Sequence, residues 1–163
     1  MTITALLAEQ MSRHAKTFLK ALEEFPEAQF HTDLPAGGHS AAWHALHIAD
    51  WTRILVPAGL VDVPGDARFS YLGWEDAAFT QNILGDSPAM LSSSKPEILE
   101  YLRSELERAT RDVTAMDDTR LEGKIVVPMG ERVVKAILLT QIGHVPYHYG
   151  QMRMNLKQLV TTT

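Results

Sequence analysis

Apolar residues recur at helical spacing in four stretches of the chain. In the first, about Thr4 to Glu24, Ile3, Leu7, Met11, His14, Phe18, Leu22 and Phe25 share one face, while Glu9, Arg13, Lys16, Lys20 and Glu23 lie elsewhere on the wheel. That pattern predicts an amphipathic helix ended by Pro26. The second, about Ala41 to Val56, places Trp43, Leu46, His47, Asp50, Trp51 and Ile54 on one stripe, with Ser40 as its N-cap. The third opens on Ser94-Lys95-Pro96-Glu97, the signature of a capping box with proline in the first turn, and continues through Ile98, Leu102, Leu106, Ala109 and Val113 to about Met116. The fourth runs from about Val134 to Val160.

The links differ in length. Phe30 to Gly38 reads as a loop, with Pro35 and Gly37-Gly38 in it. Pro57 to Ser93 loses all strong periodicity under repeated proline and glycine, leaving room for one short helix around Trp74 to Ile83; a connection this long is either a lid or wall of a site, or packing material around Phe69, Tyr71, Trp74 and Phe79. Ile125 to Val134 reads as two short extended pieces around a Pro128/Gly130 turn. The expected fold is an all-α four-helix bundle over residues 1–163 as a single domain, with a long connection between helices 2 and 3 and a short extended turn before helix 4.

The fourth stretch carries an anomaly. Ile137, Gln141, His144, His148, Gln151 and Asn155 share one face, bordered by Leu138, Val145, Met152 and Leu156. Polar side chains on a face that meets a core are costly to bury, and such a face usually lines a site. His144 and His148 are one helical turn apart, so both imidazoles can address one ion. Pro146 between them removes a backbone hydrogen bond and should bend the helix.

A pair holds a metal poorly, and the best third ligand is His47, central in the second stripe. His47 could equally be a core histidine, or a partner of Asp50 without any metal. His44 lies about 60° to one side of it and Asp50 about 60° to the other. His14 reads as a core histidine of the first helix. Arg68, Arg132 and Arg153 could meet an anion but read first as surface charges.

Composition narrows the chemistry. With no cysteine, disulfides, thiolate ligands and cysteine nucleophiles are excluded, and a metal must be held by nitrogen and oxygen. A net charge of −5 without a basic stripe argues against nucleic acid as a partner. No signal peptide pattern opens the chain, and no apolar run approaches the roughly 20 residues of a membrane span, so a cytoplasmic protein is expected.

Trp43-x-x-x-His47-Ile48-Ala49-Asp50 and His144-x-x-x-His148-x-Gly150-Gln151, in this order, resemble the DinB/YfiT superfamily of small four-helix-bundle, metal-dependent enzymes. The resemblance implies that His47, His144 and His148 are the three metal ligands, with open positions for water or substrate. It also implies a homodimer formed through the helices. Its members with known chemistry are thiol-dependent transferases or isomerases and some hydrolases. Tyr149 departs from the arginine often found before Gly-Gln, and Pro146 is unusual.

Three neutral imidazoles would leave a divalent ion (zinc, nickel or iron, which nitrogen donors do not distinguish) its full charge. Such an ion lowers the pKa of a bound water from about 15.7 toward about 7, and can hold a thiol as thiolate. The expected function is a metal-dependent transferase using a low-molecular-weight thiol, or a hydrolase, acting on a small molecule; Asp50 and Gln151 are candidates for supporting the ligands from behind. The alternative is a non-enzymatic dimeric helical module that binds a metal or ligand. A metal-free bundle with buried histidines is the third reading.

Overall fold

The computed structural model describes residues 2–34, 38–63 and 88–161. The helix expected around Trp74 to Ile83 lies outside them, as does Arg68. Four long helices carry the fold: α1 (Ile3–Glu23), α2 (Ala41–Leu55), α3 (Lys95–Ala115) and α4 (Val134–Thr161). A small antiparallel hairpin, β1 (Lys124–Val127) and β2 (Gly130–Val133), precedes α4. The bundle and the extended turn are thus as expected.

α1, α2 and α3 begin where side-chain chemistry closes their free N–H groups. Thr2 accepts from the Ala5 amide at 3.1 Å, and Ser40 from the Trp43 amide at 3.2 Å. Glu97 reaches back to the Ser94 amide at 2.8 Å, completing the capping box. The start of α1 has a second, distant cap. Asp118 accepts from the amides of Ile3 and Thr4 at 3.0 and 2.9 Å and from the Thr4 hydroxyl at 2.8 Å. A carboxylate there also meets the positive end of the helix dipole.

α1 and α2 each pack against α3 and α4. The core falls into two clusters. Phe18, Phe25, Phe30, Ile98, Leu102 and Met152 build one, and Met11, Ile54, Val113, Leu121, Ile125 and Leu138 the other. Ile125 and Val127 point inward from β1, so the hairpin closes the second cluster. The connection after α2 joins it: Val63 N–H donates to Val126 O at 2.9 Å, and Val126 N–H to Asp62 at 2.8 Å.

α2 differs from the one-stripe helix that its sequence suggests. Every residue from Ala41 to Thr52 is buried, as are Ile54 and Leu55, which leaves Arg53 the single side chain with partial exposure. Alanines at 41, 42, 45 and 49 let neighbours approach on the faces that the stripe leaves over. A helix buried all round has no solvated face on which polar groups are harmless, so its own polar residues must be bonded. Asp50 accepts from the Tyr101 hydroxyl of α3 at 2.8 Å, and Arg53 donates to the same hydroxyl at 3.1 Å. Thr52 donates to Ile48 O and accepts from Gln141 of α4, both at 2.6 Å.

Replacing Tyr101 by phenylalanine removes one donor from the buried Asp50 side chain while keeping the ring. The expected loss is about 1–3 kcal/mol of unfolding free energy, read from urea titrations with unchanged m-value. A variant as stable as the parent would show that this bond does not tie α2 to α3.

Candidate metal centre

The face of α4 that carries polar residues is turned onto α2, and hydrogen bonds at its two ends fix the register. Gln141 meets Thr52 at one end. At the other, Asn155 donates through Nδ2 to the His39 carbonyl at 2.6 Å. Between them the imidazoles of His47, His144 and His148 converge, each offering one nitrogen within 4.8 Å of the others. His144 Nε2 stands 3.1 Å from His47 Nε2 and 2.9 Å from His148 Nε2. α4 runs unbroken through Pro146, and the two histidines keep their one-turn spacing.

The donor set fits a metal better than it fits hydrogen bonding. An imidazole nitrogen carries either one hydrogen or one lone pair, directed in the ring plane. His144 Nε2 therefore cannot serve both neighbours with good geometry, whichever form it takes. Its other nitrogen, Nδ1, is buried without a hydrogen-bond partner among the described residues. Three lone pairs on one divalent ion would resolve the crowding at Nε2, and no carboxylate belongs to the group.

Aromatic rings wall the site. Trp43 stacks on His47 with centroids 4.4 Å apart and on His39 at 3.7 Å, and Trp51 meets the His144 ring edge-on at 5.8 Å. This low-dielectric shell disfavours charge on the imidazoles. Burial pushes His144 down to about 4. His148 falls to about 3, through burial first and then through His144, His44 and His39. Neutral imidazole is the form that binds metals, so at neutral pH His144 and His148 would need to lose no proton to hold one.

The remaining expected residues are placed as follows. Asp50, on α2, accepts from Tyr101 of α3, and Gln151 donates to the Tyr147 hydroxyl at 2.9 Å. His14 is half-buried on α1, outside the histidine group. Arg132 donates to the Glu131 carbonyl at 2.8 Å, and Arg153 is exposed. Tyr149 packs against the first core cluster.

Sequence reasoning passed over His44. It is 2% exposed, and its Nδ1 lies 2.9 Å from Nδ1 of His148. Its spacing of one turn before His47 was the available signal. An open cleft runs along this side, lined by Asp33, His39, His44, Tyr147, Gln151 and Asn155 among others.

Acid should loosen the metal-free protein. His44 and His144 are lowered to about 4 from an ordinary 6.5, chiefly by burial, so the unfolded chain takes up protons before the folded one does. Their contribution is complete above about pH 6.5 and is lost as pH falls toward 4. The urea midpoint of metal-free protein should decline already between pH 6.5 and 5, before ordinary carboxylates titrate. A flat midpoint over that window would contradict it.

No curated protein matches the chain in sequence. The family model described as the DinB superfamily matches residues 10–152, a span that holds α2, α3 and all three converging histidines. The chain belongs to the DinB superfamily.

Proposed function

We propose that this protein is a metal-dependent enzyme whose ion is held by the Nε2 atoms of His47, His144 and His148. Its substrate on this reading is a small molecule, modified by transfer to or from a low-molecular-weight thiol or by hydrolysis. The single observation that carries the reading is the crowding of three imidazole nitrogens, two of the separations being 2.9 and 3.1 Å, where hydrogen bonds alone leave donors and acceptors mismatched.

When bound, a divalent ion would supply a Lewis acid that lowers the pKa of a water or thiol beside it. The protein's own residues supply the surroundings. Trp43 and Trp51 keep bulk water off the ligand rings, which strengthens any electrostatic interaction inside. The Tyr147 hydroxyl and the Gln151 amide stand at the cleft as donors and acceptors for a polar substrate. Ligands without negative charge leave the ion its full charge toward that substrate.

Elemental analysis tests the first half. One equivalent of zinc, nickel or iron is expected in purified or reconstituted wild type, and none in the His47→Ala/His144→Ala/His148→Ala variant. Wild type that refuses all of these metals would end the metalloenzyme reading. Metal-loaded protein that turns over neither a thiol-transfer panel nor an ester panel would instead favour the binding module.

A homodimer through α4 accompanies this reading. Leu139, Tyr147 and Met154 are 53%, 61% and 55% exposed along one side of α4, and Gly143 and Gly150 lie between them. Among the described residues, a Cβ at either glycine would meet nothing within 4 Å. Each glycine costs the helix about 1 kcal/mol relative to alanine, and close approach of a second copy gives that cost a structural use. Light scattering should give twice the chain mass for wild type and a shift toward single-chain mass for Leu139→Glu/Met154→Glu. A wild type of single-chain mass would overturn the dimer.

A further inference from the structure

Two Nδ1 atoms 2.9 Å apart, those of His44 and His148, share one hydrogen between them. Only two arrangements of neutral rings allow that. Either His148 carries its hydrogen on Nδ1 and His44 on Nε2, or His148 carries it on Nε2 and His44 on Nδ1. The two rings are therefore locked in opposite tautomers, and a choice at one dictates the other.

In the metal-free protein the neighbours select the second arrangement. Asn155 Nδ2 is held as a donor by the His39 carbonyl at 2.6 Å, and its second hydrogen faces His44 Nε2 across 3.4 Å. His44 Nε2 then accepts, His44 Nδ1–H donates to His148 Nδ1, and His148 Nε2–H donates to His144 Nε2 at 2.9 Å. Every link in this chain runs one way, from the cleft side toward the ligand group. A metal on His148 Nε2 forbids it, because that nitrogen must offer a lone pair.

We propose that His44 is a positioning residue of the metal centre, which accepts the Nδ1 hydrogen of metal-bound His148 and, in doing so, presents its own hydrogen from Nε2 to Asn155 and the cleft. Both tautomers invert on loading, with one hydrogen on each ring before and after, so no net proton is taken up or released. Asn155 must then offer its carbonyl oxygen instead of its amide nitrogen. That turn breaks its bond to the His39 carbonyl, next to the ring that stacks on Trp43. Occupancy of the metal centre is thereby communicated to a residue pair that lines the cleft. The geometry is that of the carboxylate that commonly supports a metal-bound histidine, with a second imidazole in the carboxylate's place.

The inference rests on the three-histidine reading of the metal centre. Zinc affinity by competition with a chromophoric chelator is measured first, for wild type, His44→Leu and His44→Asn. Loss of the acceptor in His44→Leu should weaken zinc binding about 10–100-fold, while the Asn side-chain oxygen, placed near the lost Nδ1, should recover most of that loss. Long-range proton–nitrogen NMR of wild type then reads the tautomers without any variant that must fold. His44 should be the Nδ1–H form without zinc and the Nε2–H form with it, with His148 the reverse. Wild type that binds none of zinc, nickel and iron would remove the metal reading and this inference together. Wild type that binds zinc, with equal affinity in His44→Leu or with one unchanged His44 tautomer, would overturn this inference alone and leave the metal reading standing.

Discussion

A lone pair in the plane of an imidazole ring can be met by one hydrogen, and where three rings bring nitrogens to one point the hydrogens run short. The packing of α2 on α4 imposes that condition on His47, His144 and His148. It is held there by bonds above and below the site, Gln141 to Thr52 and Asn155 to the His39 carbonyl, so the rings cannot drift apart to relieve it. Buried polar groups of this kind are stabilising when every member is satisfied and costly when one is not. The site therefore sits at the least forgiving part of the core, and a divalent ion is the group whose bonding suits it.

The surrounding structure supports the same arrangement. α2 is enclosed on all sides, so its histidines are buried, and its remaining polar residues are tied to α3 and α4. The two ends of α1 are secured separately, its start by Asp118 and its finish by Lys95, whose ammonium donates to the carbonyls of Glu23 and Phe25 at 3.0 and 2.7 Å. These are ordinary capping interactions with distant partners, and they leave the α2–α4 face free to be specialised.

The helix starts were legible because caps are local: Ser40 and the Ser94–Glu97 box announce them within four residues. The His144–His148 pair was legible for the same reason, since one helical turn is enough to align them. His47 needed an argument about which faces meet, and the family resemblance supplied what periodicity could not. His44 escaped because the wheel of α2 assigns it to the edge of a stripe, whereas alanines at 41, 42, 45 and 49 let the whole helix sink into the core. No local pattern distinguishes a residue at the margin of a buried face from one on a helix with no exposed face. Likewise, Asn155 was visible as part of a polar face, but its partner, the His39 carbonyl, belongs to a backbone more than a hundred residues earlier.

The complete burial of α2 also has a meaning in time. A chain emerges from its N-terminus, and α2 is made long before α4, the last helix of the sequence. Until α4 arrives, Trp43 and Trp51 lack the α4 rings that they meet in the finished protein, His148 and His144. The α4 partners of Thr52 and of the His39 carbonyl come 89 and 116 positions later in the chain. The convergence of His47 with His144 and His148, which needs both α2 and α4, is thus among the last features to be assembled.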